Sequence, residues 1–194
     1  MSGRPREFDP EQVLDAAMAV FWKQGYARTA LADLEAATGL GRQSLYGAFG
    51  DKRALFERVV DRYFEVVIQR YIIDVLDAPG SGRANVEKVI RGWEAAAAAP
   101  EFNGCLVGNS TSELGLHDPE MATLLRRKLD MMEAGFHRAL ARAQHDGEIG
   151  AKVDVRALAR SFLVTAQGLS IVCRVNRDRA FVRAVARDAL ARLD

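Results

Sequence analysis

Arg42, Gln43 and Ser44 stand side by side at the head of a short stretch, 42 to 49, that also contains Gly47. An arginine forks onto the two acceptors of guanine, and a glutamine pairs bidentately with adenine. An exposed helix carrying both, with a small residue where it nears the base edges, therefore has the chemistry to read a major groove. If 42 to 49 is helical, Arg42, Gln43, Ser44 and Gly47 share its outer face, while Leu45, Ala48 and Phe49 turn inward against Phe21 and Leu34. Surface arginines and lysines also decorate three-helix units that never meet DNA, so the pattern by itself leaves both readings open.

A second group centres on Cys105. The preceding Asn103-Gly104 turn delivers it to a helix N-terminus, where the helix dipole lowers a thiol's pKa. It is either a responsive thiol or a small buried residue. Cys173 sits late in an apolar helix and is expected to be an inert core thiol. Two cysteines make no disulfide framework, and both are expected to be free. His137 and His145 could share a helix face, but neither they nor His117 gains the Cys or carboxylate partners of a metal set, so no metal is expected. No nucleophile elbow, phosphate loop or diagnostic carboxylate pair is present, so neither an enzyme nor a cofactor is expected.

A third group is apolar. Phe64, Tyr71, Trp93, Phe102, Met121, Leu125, Met131, Met132 and Phe136 are more bulky and soft than slender helices need. They either line a cavity for an apolar or aromatic small molecule, with Asn109, Thr111 or Gln167 as orienting groups, or fill an ordinary core.

These residues have to be positioned by helices. The chain of 194 residues carries 27 Lys+Arg against 26 Asp+Glu, and 49% of it is hydrophobic, which excludes disordered and fibrous classes. Its richest apolar stretch, Phe162 to Cys173, is interrupted by polar residues and falls short of the ~20 residues a membrane span needs. Met1 to Pro10 has Arg4 and Arg6 but no apolar run, so no leader is visible and a cytoplasmic protein is expected. Bulk charge makes no case for nucleic acid, because residues 1–60 hold eight basic and eight acidic side chains; local placement must do that work.

Apolar spacing and punctuation predict an all-α chain of nine helices. Asp9-Pro10 opens the first, and Gly25 stops it. Thr29 caps a second that ends at Gly39, and Gly41 begins a third that ends at Gly50. Asp51 caps a long fourth that runs towards Asp77. Further helices are expected from about Ala84 to Ala99, Cys105 to Leu114, Asp118 to Asp146, Asp154 to Asn176, and Asp178 to Leu193. The layout is an N-terminal three-helix helix-turn-helix lobe, 1–52, and a six-helix lobe, 53–194.

Residues 9 to 56 carry a resemblance. Val13-Leu14-Asp15-Ala16-Ala17, Phe21, Gly25-Tyr26, Thr29, Asp33-Leu34, Ala37-Thr38-Gly39-Leu40, Ser44 to Lys52, and Leu55-Phe56 together resemble the TetR family of bacterial transcriptional regulators. The resemblance implies a homodimer that grips a pseudo-palindromic double-stranded DNA operator and is released by a small-molecule effector. It implies that Thr29, Tyr46 and Lys52 hold backbone phosphates beside Arg42, Gln43, Ser44 and Gly47. It also implies that the six-helix lobe holds the effector. The last two helices, Asp154 to Asn176 and Asp178 to Leu193, carry apolar stripes with small residues such as Ala159, Ala166, Gly168 and Ala189, so a dimer through them is expected. A sensor or carrier that has lost DNA binding is the alternative. The residue before the third helix, often Ser or Thr in this family, is Gly41 here, so a hydroxyl that could touch a phosphate is missing. Gly104 to Asn109 is similar to a Gly-Cys-Leu-x-x-Asn element of one branch of these regulators, placed where the ligand lobe relays to the DNA-binding lobe.

Overall fold

Asp9 starts the first helix by accepting a hydrogen bond from the Glu11 N–H at 2.9 Å, with Pro10 at a position that needs no donor. The computed structural model describes residues 8–194, so the expectation for the first residues, with Arg4 and Arg6, lies outside it. Nine helices and no strands make up the described residues. They are α1 (Pro10–Gln24), α2 (Leu31–Thr38), α3 (Arg42–Phe49), α4, α5 (Gly82–Ala97), α6 (Leu106–Leu114), α7 (Pro119–His145), α8 (Val155–Val172) and α9 (Arg179–Ala191). The long α4 is α-helical over Lys52–Tyr63, widens to a π-helix over Phe64–Ile73 and closes with Asp74–Leu76. Most expected and observed boundaries agree closely; Ser81 caps α5 earlier than expected, its hydroxyl accepting the Ala84 N–H at 2.9 Å, Ala30 stands where Thr29 is expected to cap α2, and α8 ends at Val172, short of Asn176.

The chain divides into two compact units, residues 1–63 and 64–194. The division falls after Tyr63 because Leu55, Phe56, Val59, Val60 and Tyr63 are all buried in the first unit, where this part of α4 lies on α1. Phe21 and Phe56 meet edge to face at 4.9 Å between ring centres, and Tyr26 lies 5.0 Å from Phe56. Arg62 ties α4 to α1. Its guanidinium forks onto Asp15 at 2.8 and 3.1 Å and reaches Glu11 at 3.0 Å. These hydrogen bonds, chiefly to Asp15, hold it still more firmly charged.

In the second unit α7 is the central helix, packed against α5, α6, α8 and the end of α4. Two glycines permit the close approaches. A Cβ at Gly82 would lie 2.2 Å from the Ala139 carbonyl oxygen, and one at Gly135 would lie 2.9 Å from Ile73 Cδ1. Phe136 is the hub, 5.6 Å from Trp93 and 5.8 Å from Phe162. A smaller cluster joins Ala97, Leu169, Cys173 and Val182, with Phe102, Phe181 and Val185 packed on it.

Candidate functional site

The turn between α2 and α3 is three residues, Gly39-Leu40-Gly41. Gly39 closes α2 in the left-handed region at φ +69°, where a glycine carries no penalty. Gly41 is the N-cap of α3 and offers no side chain. The carboxylate of Glu35, one helix earlier, accepts the Arg42 backbone N–H at 2.6 Å. That bond does the work a Ser or Thr cap would do and sets α3 against α2. The sequence signal for it was an acidic residue near the end of α2, which nothing local marks as a cap.

Leu45 and Phe49 bury the inner side of α3, and the Phe49 ring packs 6.4 Å from Phe8. Arg42, Gln43, Ser44 and Gly47 are exposed, as the spacing predicts, and Ala48 and Tyr46 are half-buried. A Cβ at Gly47 would meet nothing within 4 Å. Asp51 caps α4 by accepting the Ala54 N–H at 2.8 Å. The Lys52 ammonium rests 4.7 Å above the Tyr26 ring, so an aromatic face holds the cation in place.

Thr29 departs from its expected place. Ala30, not Thr29, is the N-cap residue of α2, and Asp33 accepts the Ala30 N–H at 2.9 Å. The Thr29 side chain is 1% exposed and its hydroxyl donates to the Gly25 carbonyl at 2.6 Å. Its hydroxyl therefore closes the α1–α2 turn.

In the second unit the expected effector residues divide. Phe64, Met121, Leu125, Met132 and Phe136 are buried, and Trp93 is half-buried against Phe136. The Lys128 ammonium lies 4.7 Å above the Phe64 ring. Four of the expected residues do not join this group. Tyr71 is 64% exposed, because the turn of α4 at that point directs it outward beside Arg70. Phe102 packs instead on the cluster around Cys173. Thr111 is exposed, with its hydroxyl donating to the Val107 carbonyl at 2.9 Å. Met131 also lies outward.

Cys105 is the N-cap residue of α6, after Gly104 at φ +78°, as the turn predicts. The expected contrast in access is not seen, since both thiols are buried. Burial pushes the Cys173 thiol above its ordinary value. The side-chain amides of Asn109 and Gln167 lie in the same α6–α8 region, Asn109 Nδ2 donating to the Asn103 carbonyl at 2.8 Å. His117 and His145 are exposed, and His137 borders a groove with Asp130, Glu133, Arg156 and Arg160. A groove of about 400 Å³ between α5 and α9 is lined by Arg83, Glu87, Arg91, Glu94, Arg183 and their neighbours, and by none of the expected effector residues. No helix of the described residues is long and apolar enough to cross a membrane.

A short, outwardly polar helix held by a glycine turn onto two supporting helices has the layout of a helix-turn-helix DNA-binding unit. Residues 13–59 match the model of the bacterial regulatory proteins of the tetR family, and residues 82–189 match the tetracyclin repressor-like C-terminal domain. The chain belongs to the TetR family of bacterial transcriptional regulators and is not an enzyme. It is 36% identical to the uncharacterized HTH-type regulator YezE of Bacillus subtilis over 178 residues, 91% of each chain. It is 34% identical to the transcriptional repressor ComR of Escherichia coli over 177 residues, 89% of this chain and 82% of that one. Among solved structures, a cysteine-substituted TetR-family regulator CifR complexed with 26-bp double-strand operator DNA superposes with a TM-score of 0.88 at 32% identity, covering 99% of this chain and 100% of that one.

Proposed function

We propose that the protein is a homodimeric, cytoplasmic repressor that leaves a pseudo-palindromic operator when its second unit binds a small apolar, aromatic or electrophilic molecule. The observation that carries the DNA-binding half is the α3 face, where Arg42, Gln43, Ser44 and Gly47 are exposed together while Leu45 and Phe49 anchor the helix from behind. On this reading residues 1–63 read the operator, and residues 64–194 hold the effector and the partner subunit.

The dimer reading is supported by an apolar stripe on and just beyond α8. Val164 is 69% exposed and Val175 is 89% exposed, with Ile171 and Val172 also open and Gly168 among them. Such a stripe is costly in water and is suited to a matching helix of a second copy. Release follows if the effector has a higher affinity for the dimer state that does not fit the operator.

The test is a gel shift with DNA from upstream of the protein's own gene, comparing wild type with an Arg42→Ala/Lys52→Ala double variant. Retarded wild type and unretarded variant support the assignment, and equal retardation removes it. For the electrophile branch, treatment with an alkylating quinone and adduct mapping by mass spectrometry should label Cys105 before Cys173, whose burial holds its thiol protonated, and release DNA. Release that persists in Cys105→Ser assigns the response to the apolar group instead.

A further inference from the structure

We propose that the start of α6 and the facing stretch of α8 form the polar end of the effector site, and that its ligand is a neutral molecule presenting a hydroxyl group. The inference rests on the effector-binding role proposed for residues 64–194. Two side-chain oxygens carry it. Asn109 Oδ1 and Gln167 Oε1 are both buried and both lack a hydrogen-bond partner. Buried acceptors are almost always paired in a native protein, by protein, water or ligand.

The amides are also oriented. Asn109 Nδ2 is committed to the Asn103 carbonyl, which leaves Oδ1 as the end turned away from it. Gln167 Nε2 lies 4.0 Å from the Met132 sulfur, so this amide abuts a buried residue of the apolar group. Each oxygen packs closely against a glycine. A Cβ on Gly108 would fall 2.2 Å from Gln167 Oε1, and a Cβ on Gly104 would fall 3.1 Å from Asn109 Oδ1 and 2.5 Å from the Ser170 carbonyl oxygen. Glycine at both positions lets the amides lie against the α6 turn, beside Cys105, whose Cβ would be 3.7 Å from a Cβ on Gly108. Arg174 brings its Cδ methylene to Gly104 from the exposed side.

The chemistry selects the ligand. Amide oxygens accept and cannot donate, so a hydroxyl can donate to one of the two, whereas a carboxylate placed there would set lone pair against lone pair. The nearby Met132, and Phe136 with Phe162 beyond it in the same core, suit an apolar body behind that hydroxyl. Benzyl alcohol, toluene and benzoate therefore make a discriminating set, alike in size and different only in the group offered.

The experiment measures thermal unfolding of the full-length protein with each probe at equal millimolar concentration, for wild type and for Gln167→Met, which keeps the length and removes the acceptor. Benzyl alcohol should raise the wild-type Tm beyond toluene, benzoate should not, and the difference should vanish in Gln167→Met. The free variant should melt no lower than wild type, because an unpaired buried acceptor has been replaced by an apolar group. In wild type, the Asn109 and Gln167 side-chain amide signals in ¹H–¹⁵N spectra should move with benzyl alcohol and stay with toluene, a readout that does not need the variant to fold. Equal effects of benzyl alcohol and toluene, with unmoved amides, would mean that water satisfies these oxygens; that overturns the hydroxyl site and leaves the apolar effector reading standing. No binding by any probe overturns that reading and the site with it.

Discussion

Arg42 and Lys52 both belong to the first unit but are expected to fail differently when removed. Arg42 is exposed on the α3 face, and Arg42→Ala should cost about 1–3 kcal/mol of operator affinity and relax the preference at one base pair. Lys52 is steadied by the Tyr26 ring, and Lys52→Ala should weaken all sequences alike and lower the salt slope of binding by about one. Fluorescence anisotropy titrations across a salt series separate the two. Thr29→Val makes the opposite case. It leaves the Gly25 carbonyl without its donor and should lower stability by about 1 kcal/mol in urea, with the operator affinity of the folded protein unchanged. A loss of affinity without loss of stability would return Thr29 to the phosphate backbone. Cys173 adds a pH dependence. Its folded pKa is raised above an ordinary value of 9.0, so below that value both states keep the proton, and above it only the unfolded chain gives it up. Stability should therefore fall as pH rises past about 9, by up to ~1.4 kcal/mol per pH unit, and Cys173→Ala should flatten that fall. Urea midpoints at several pH values measure the slope independently of any cavity left by the substitution.

At the scale of elements, α3 was legible in the sequence because its outer and inner residues follow a simple helical period between two glycines. The cap supplied by Glu35 was not legible, since a bond spanning seven positions between two helices leaves no periodic trace. Thr29 misled for a related reason: a threonine before a helix reads as a cap, and only the fold shows Ala30 in the cap position with its N–H donated to Asp33, while Thr29 turns back to Gly25. The apolar residues of the second unit were recognisable as a group, but which of them face inward depends on the pitch of α4. The π-helical turns over Phe64–Ile73 alter that pitch, and Tyr71 is found outside. Two glycine substitutions test the element packing. Gly82→Ala puts a methyl group 2.2 Å from a carbonyl oxygen of α7 and should destabilise by about 1–3 kcal/mol in chemical denaturation. Gly47→Ala meets open space and should stabilise α3 by up to ~1 kcal/mol, while its methyl group intrudes on the base edges and weakens operator binding.

For the molecule as a whole, the exposed stripe of Val164, Ile171, Val172 and Val175 sets the expected assembly. Val164→Asp with Ile171→Asp should give a folded monomer by light scattering, and that monomer should lose the operator at concentrations where the wild type is saturated. A dimer that persists would place the contact elsewhere. Half-sites presented by such a dimer should recur about one helical turn apart, so an insertion of about five base pairs at the operator centre should abolish binding by setting the two halves on opposite sides of the duplex. The Glu35 cap bears on how such a regulator changes over generations. It holds α3 through the backbone N–H of Arg42, so the identity of that side chain is irrelevant to the bond. Gln43, Ser44 and Gly47 are likewise open to solvent, while Leu45 and Phe49 seat the helix. Four positions can thus drift, duplicate and diverge with little threat to folding, and a descendant can take up a new operator without first acquiring spare stability. A library randomised at 42, 43, 44 and 47 should contain mostly folded members that differ in the DNA they choose.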